Sequence, residues 1–521
     1  MRRGIVVLWI GLLAGGLPGW APAADLPKPS EKPKSPAKEA KQPAKEGAKE
    51  AKEKEEDEYE LQRLLIDTLD EVQRNYVREI TRRKLIEAAI KGVLAELDPY
   101  SSYIGPEDME QFRTVVESEF GGIGVQIAVE QGQLMVISPL PGTPAYRAGI
   151  IAGDRILEID GKSTENITMD EAVRRLKGPE GTEVTLTVLH SGKTVAAMVK
   201  ITRASIHADT VLGDSRTADG AWSFLLDPKR RIACVRISAF SRDTAEELEE
   251  VLAALQKEEK IRGLVLDLRF NPGGLLTSAV EVADLFVARG RIVSTAGRSS
   301  PERVWNAHEE GTFEGFPMAV LVNRYSASAS EIVAACLQDH KRAVIVGERT
   351  WGKGSVQNLI PLERSRAGSE PARPDLRSAL KLTTAGYRRP NGKNIDRLPG
   401  AKDSDDWGVT PDKGLELRLG DGEMLALDAD RRHRDVLRPA TTAPKKAPPA
   451  KAPGEEKPAA TGAEATPGAP DAKKNGKPAG PPAGETAGET ARPGTPKPTG
   501  FVDRQLQMAL DHLAGELARA R

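Results

Sequence analysis

The chain has 521 residues, with 75 Lys and Arg against 76 Asp and Glu. That length exceeds what one hydrophobic core organises, so two or three domains plus connecting material are expected. The balanced charge provides no basic surface for phosphate, which argues against a nucleic-acid partner.

The chain starts with Met1-Arg2-Arg3, an apolar stretch from Ile5 to Leu17, then Ala21-Pro22-Ala23. A charged start, about 13 apolar residues and a small-x-small site read as a signal peptide over residues 1–23; about 20 residues would be needed to cross a bilayer. An uncleaved anchor is the alternative reading, and either places the protein in the periplasm or cell envelope. Residues 24–58 are Lys, Glu, Pro and Ala with Leu26 the only large apolar residue. They bury too little to offset the entropy of ordering and read as a disordered linker.

Between Tyr59 and Leu97 apolar residues recur at helical spacing, first Leu61, Leu65, Leu69, Val72 and Tyr76, then Ile86, Ile90, Val93 and Leu97. This predicts two helices that end before Pro99, within a helical region at 59–117.

Residues 118–203 contain Gly121-Gly122-Ile123-Gly124-Val125 before an alternating strand, then Pro144-Ala145-Tyr146-Arg147-Ala148-Gly149 and Ala152-Gly153-Asp154-Arg155-Ile156. The combination resembles an α+β PDZ domain. Glycines let a loop turn its amides toward a carboxylate, and the strand at 124–129 offers an edge to an incoming peptide. A helix at 169–177 would add a pocket beside Val173, unless Ala172, Val173 and Leu176 simply face the domain's core.

From 204 to 438 apolar strands alternate with helices: strands at 231–237, 263–268 and 318–323, helices at 244–256 and 276–288. That order predicts an α/β core with a mainly parallel sheet. Cys234 and Cys336 both lie among apolar neighbours in this region. They read as buried thiols, with a disulfide in an oxidising envelope as the alternative; their spacing suits no metal.

Two motifs directly follow predicted strands, Asp267-Leu268-Arg269-Phe270-Asn271-Pro272-Gly273-Gly274 and Asn323-Arg324-Tyr325-Ser326-Ala327-Ser328-Ala329-Ser330-Glu331. Loops at the carboxyl ends of parallel strands are where such sheets place their sites. A third motif, Gly352-Lys353-Gly354-Ser355-Val356-Gln357, precedes Leu382-Thr383-Thr384-Ala385. Together, in this order, the motifs resemble the carboxy-terminal processing (tail-specific) serine peptidases, and the likeness runs from about residue 59 to 419.

The resemblance implies a ClpP/crotonase-like protease core, Ser328 as nucleophile, Lys353 as general base and Gln357 as the third member, with no metal and no cofactor. On a strand, positions four apart share a face, so Gln357 could hold the lysine amine. A lysine of ordinary pKa, about 10.4, must be neutral to accept a proton, and bringing it near neutrality corresponds to roughly 4 kcal/mol of disfavoured charge. Lys353 must therefore lose most of its water. The oxyanion would be received by the Ala329 amide, at a helix amino terminus, and by that of Gly274 or Gly273.

Bland readings stand beside these. Ser326, Ser328 and Ser330 could merely cap a helix, and Gln357 could be an ordinary strand residue. His340 would lie about 18 Å from Ser328 along a helix, too far to serve as the base. Asp339 has the same difficulty and reads as structural. An insertion at 364–377 departs from the family pattern, as does a Pro/Ala/Gly-rich stretch at 439–500, which reads as a disordered linker.

The final segment, 501–521, repeats a helical pattern through Val502, Leu506, Ala509, Leu513 and Leu517. Such a helix is marginal alone and should dock on this chain or a partner. The helices near both ends are candidate surfaces for a homo-oligomer.

The function implied is an endopeptidase that captures unstructured carboxyl-terminal tails of proteins on its PDZ domain, with an adaptor protein as a candidate partner and PDZ docking as a candidate gate. A catalytically silent PDZ scaffold is the alternative; it predicts loss of Ser328, Lys353 or the glycines, and all are present. Trypsin-like envelope proteases place their PDZ domain after the protease and use a histidine-based site, which this order does not match.

Overall fold

The structure, a computed structural model, describes residues 46–217, 219–362, 378–437 and 501–520. The signal-peptide reading, the insertion at 364–377 and the linker at 439–500 fall outside these residues.

Two helices form where the spacing places them, α1 (Glu46–Asn75) and α2 (Arg82–Ala95). α1 begins inside the stretch read as a disordered linker. Residues 46–58 are almost all Glu, Lys and Ala, strong helix formers, which favours helix in spite of the low apolar content. After α2 the Asp98 carboxylate accepts from the amides of Tyr100, at 2.7 Å, and Ser101, at 2.8 Å. The turn delivers β1 (Ser102–Ile104), and α3 (Pro106–Glu117) follows.

The next domain opens with β2 (Glu119–Gly122) and contains β3 (Val125–Glu130), β4 (Gln133–Pro139), β5 (Arg155–Ile159), α4 (Met169–Leu176), β6 (Glu183–Leu189) and β7 (Ala197–Thr202). β3 to β7 form one antiparallel sheet in that order. Burial alternates along β6, and its inward residues Val184, Leu186 and Val188 share a core with Ile127, Val136, Ala172 and Leu176. β2 pairs instead with β8 (Ala204–His207), making a two-stranded neck to the following domain.

The central sheet uses β9 (Ile232–Ile237), β10 (Gly263–Asp267), β13 (Met318–Val322) and β14 (Val344–Gly347), all mutually parallel. Every residue of β9, β10 and β13 is buried, as a parallel sheet covered on both faces requires. The crossovers are α5 (Thr244–Ala254), α6 (Leu276–Asp284) and α7 (Ala329–Asp339), which bury Leu248, Leu252, Val282, Val333 and Leu337 with Ala233, Val235 and Ile237 of β9.

Alternate residues, Ile232 and Cys234, face the other way with Val265, Leu321 and Val346. There they meet Ala509, Leu513 and Leu517 of the last helix, α9 (Arg504–Arg519). The terminal helix thus docks on its own chain, and the apolar face offered as an oligomer surface is already covered. α8 (Asp421–Asp435) lies before it.

A second sheet, wholly antiparallel, was not foreseen. It runs β1, β16 (Ala379–Arg388), β11 (Gly290–Ala296), β12 (Arg303–Ala307), with β15 (Ser355–Pro361) also on β16. Through β1 the amino-terminal region becomes part of the core. No helix among the described residues is long and apolar enough to cross a membrane.

Candidate active site

Ser328 stands at the carboxyl end of β13, as the residue that caps α7, with φ 57° and ψ −115°. A serine with positive φ is uncommon and persists only where its surroundings over-determine it. The other serines of the motif help to do so. Ser326 Oγ accepts from the Asn323 amide, at 3.0 Å, and donates to the Leu268 carbonyl, at 2.8 Å. Ser330 Oγ donates to the Asn271 carbonyl at 2.9 Å. Ser326 and Ser330 are therefore structural.

Glu331, one turn beyond Ser328 and 0% exposed, joins the serine and lysine loops. One carboxylate oxygen accepts from the amides of Ser328 and Lys353, both at 2.8 Å; the other accepts from Thr350 Oγ1, at 2.5 Å, and the Gly352 amide, at 2.7 Å. Burial pushes its pKa above the ordinary carboxylate value while these bonds pull it back. Four donors and no acceptor are the partners of an ionised carboxylate. The Ser-x-x-Glu spacing of a capping box was the available signal for this residue. Tyr387, fully buried, adds a second tie, since its hydroxyl donates toward the carbonyls of Ser328, at 3.2 Å, and Lys353. Nothing local in the sequence points to it.

Lys353 lies on the short approach to β15. Burial lowers its pKa to about 8, and the charge of Lys381 acts in the same direction, against Glu331 and Asp98. Its Nζ sits 5.0 Å from the centroid of the Tyr100 ring, and Trp351 Nε1 donates to the Tyr100 hydroxyl at 3.2 Å. Tyr100 is thus a site residue that sequence reasoning missed. It arrives through the Asp98 turn, where Ser101 Oγ donates to Asp98 at 2.7 Å and accepts from the Thr383 amide at 3.1 Å.

Gln357 is on β15, but its side-chain amide donates to Ser355 Oγ, at 3.0 Å, and Thr383 Oγ1, at 3.1 Å. The pairing register shifts between Val356 and Gln357, and Lys353 precedes the strand. The even spacing that would set both on one face is broken here.

Opposite Ser328 runs the glycine loop. Asn271, buried, holds it: Nδ2 donates to the Ile237 carbonyl at 2.9 Å, and Oδ1 accepts from the Gly273 amide at 2.8 Å. With Gly273 so engaged, the Gly274 and Ala329 amides are the ones that donate to nothing among the described residues. Gly273 has φ +102°, and a Cβ there would come within 2.8 Å of Ser328 Cβ and 2.9 Å of the Ala329 nitrogen. Only glycine leaves this space open.

In the other domain, Gly121 and Gly122 lie in β2, paired to β8, and not in a free loop as expected. Gly121 serves close packing there: its carbonyl accepts from the Gly178 amide at 3.2 Å, and a Cβ on it would sit 2.2 Å from the Gly178 carbonyl oxygen. The turn is confined to Ile123 and Gly124, whose amides make no hydrogen bond among the described residues. Val125 starts β3, the edge strand. Ala172 and Leu176 are core, whereas Val173 is half-buried at its margin.

Asp339 is held by Arg389, at 2.7 Å, at the far end of α7 from Ser328, and the adjacent His340 bonds the Arg291 carbonyl. Both cysteines are free and buried, which pushes their thiols up to about 12. No cluster of His, Cys, Asp and Glu suited to a metal occurs among the described residues.

Residues 231–413, which include Ser328, Lys353 and Gln357, match the model of peptidase family S41; 135–189 match that of the PDZ domain, and 31–108 that of the activating protease CtpB N-terminal domain. A carboxy-terminal-processing protease of Bartonella bacilliformis is 38% identical over 373 residues, 69% of this chain and 78% of that one. The carboxy-terminal processing protease CtpB of Bacillus subtilis is 31% identical over 379 residues, covering 70% and 72%. A solved photosystem II D1 C-terminal processing protease aligns at 28% identity over 68% of this chain and 93% of that one, with a TM-score of 0.37. With an S41 match across the central sheet, a PDZ match within the domain of β3 to β7 and relatives spanning both, the chain belongs to the carboxy-terminal processing proteases, serine peptidases of family S41 that carry a PDZ domain.

Proposed function

We propose that the chain is an endopeptidase in which Ser328 attacks the scissile carbonyl and neutral Lys353 takes its proton. The observation that carries this reading is the shared Glu331 clamp, which ties the Ser328 and Lys353 amides to one carboxylate oxygen, together with a lysine dried to a pKa of about 8. In the first step Ser328 Oγ bonds the carbonyl carbon, its proton passes to Lys353 Nζ, and the negative oxygen is received by the Ala329 and Gly274 amides. Collapse breaks the C–N bond, the Lys353 ammonium returns the proton to the departing amine, and water then hydrolyses the ester through the same lysine. Gln357 acts through Ser355 at the start of β15 and through Thr383 on the neighbouring β16, and does not itself hold the amine.

Substrates are proteins with exposed, unstructured carboxyl-terminal tails. A tail adds as a further strand to the open edge of β3, its carboxylate meeting the Ile123 and Gly124 amides and a side chain resting on Val173. Four parallel strands with helices on both faces support a ClpP/crotonase-like core, and the neck of β2 and β8 supports a PDZ domain at residues 118–203 set apart from the core that follows. The charged and apolar start of the sequence supports export to the periplasm or envelope.

The test is cleavage of an unfolded, exposed-tail reporter by the chain lacking residues 1–23, beside Ser328→Ala and Lys353→Ala. Both variants should lose at least about 1000-fold in kcat. Cleavage that survives either change sinks the mechanism.

A further inference from the structure

The glycine loop leaves β10 at Asp267, and the residues just after it are gripped from the far end of the chain. The Arg269 side chain, 1% exposed, donates to both oxygens of Asp503, at 2.9 and 2.7 Å, and to Gln505 Oε1 at 3.1 Å. It also donates to Asp267 at 2.8 Å, and Arg431 of α8 joins the same carboxylate. Two carboxylates and two guanidiniums thus balance in a dry place, where removing one charge leaves its partner uncompensated.

Two further contacts extend the grip. Gln505, 0% exposed, sends Nε2 to the Leu417 carbonyl at 2.7 Å, and the Leu417 amide donates to Gly347 at the end of β14 at 2.7 Å. β14 is the strand that feeds the Lys353 loop. Phe270, at φ 65°, stacks on Tyr325 with centroids 5.7 Å apart and packs on the cluster of Leu419, Met424 and Leu427 that also takes Phe501. Residues 501–505 therefore touch the supports of both loops while lying behind the site.

We propose that Asp503 and Gln505 are positioning residues of the peptidase: the start of α9 fixes Arg269, and through it the loop that presents the Gly273 and Gly274 backbone to Ser328. The inference rests on the reading of that loop as the oxyanion site. Docking of Ala509, Leu513 and Leu517 on the back of the sheet supplies the anchorage, and Asp503 also caps the helix by accepting from the Leu506 amide at 3.1 Å.

Asp503→Asn separates these duties, because asparagine caps a helix as well as aspartate does but lacks the charge that pairs with Arg269. In the full-length chain, kcat on the tail reporter should fall about 10- to 100-fold with KM within about twofold, as for a displaced reacting group. Asp503→Glu should recover part of the loss. Thermal unfolding shows whether the variant is folded at the assay temperature, and if it is not, Gln505→Met is measured the same way and decides. A folded variant with unchanged kcat, or a loss wholly in KM, overturns the inference. Ser328→Ala run alongside separates the two failures: if it still cleaves, the reading of the site falls, whereas a dead Ser328→Ala beside a fully active Asp503→Asn removes this inference alone.

Discussion

The loop that carries Ser328 and the loop that carries Lys353 meet at one carboxylate, yet in the proposed mechanism each depends on a different cause. Ser328 is set by backbone geometry, a left-handed residue at a helix start faced by a glycine whose missing Cβ leaves the approach open. Lys353 is set by its surroundings, with burial and Lys381 lowering its pKa to about 8. One half of the pair depends on shape, the other on dryness. Substitutions can therefore damage either half separately, and Glu331 is where both fail together.

Among changes to the residues around Ser328 and Lys353, the largest effect is expected on the side set by shape. Gly273→Ala would bring a Cβ within 2.7 Å of the Ala327 carbonyl oxygen and 2.9 Å of the Ala329 nitrogen, at φ +102°. A fall in kcat of about 100- to 1000-fold is predicted, the scale of losing an oxyanion donor. Steady-state kinetics on the tail reporter reads it, and near-normal kcat would mean that this glycine does not face the reacting carbonyl.

Glu331→Gln should come next. The amide has the same shape, but its NH2 turns toward two donors and leaves them unpaired, a penalty of about 1–3 kcal/mol for each buried group. Because the Ser328 and Lys353 amides share one oxygen and Thr350 and Gly352 the other, either orientation of the amide disrupts a pair. The variant should lose at least about tenfold in kcat and unfold at a lower temperature. Loss of stability without loss of kcat would reduce Glu331 to a helix cap.

On the side set by dryness the informative effect is on stability, smaller in size and of opposite sign. With its pKa lowered from 10.5 to about 8, Lys353 binds fewer protons in the folded chain than in the unfolded one across that window, so stability rises with pH there. Below it, the full cost of charging a buried lysine is present. Lys353→Met should therefore be inactive and more stable than the parent by about 1–3 kcal/mol at pH 7, a gain that shrinks toward pH 10. Thermal or denaturant unfolding at the two pH values reads this directly. No gain at pH 7 would indicate a solvated lysine.

Much of this arrangement could be read before the fold was seen, for reasons that differ by element. The strands of the central sheet declare themselves because both their faces are buried, giving unbroken apolar runs such as Met318 to Val322. Ser328 and Lys353 emerge from motifs, since neither residue says anything alone. Gln357 shows where spacing misleads: one register shift in β15 redirects its amide to Thr383. Tyr100 and Tyr387 were hidden because local pattern does not tell which aromatic will cover a charge or bridge two carbonyls. Asp503 was further out of reach, 234 positions from Arg269 in the chain. The helical spacing of α1 and α9 was equally clear, yet α1 leaves Leu61 and Leu65 exposed while α9 buries Leu513 and Leu517. Periodicity identifies a helix with an apolar face, and only tertiary structure says what covers it.

The most direct test of the Ser328 and Lys353 pair is the pH dependence with which a serine-reactive fluorophosphonate labels Ser328, followed by intact-mass spectrometry in the parent and in Lys353→Ala. A protonated lysine cannot accept the serine proton, so labelling should be slow at low pH, rise through a single midpoint near the lysine's lowered pKa of about 8, and disappear in the variant. A midpoint near about 6.5, the value of a histidine, or near about 10.4, that of a solvated lysine, or labelling that persists without Lys353, would contradict the account.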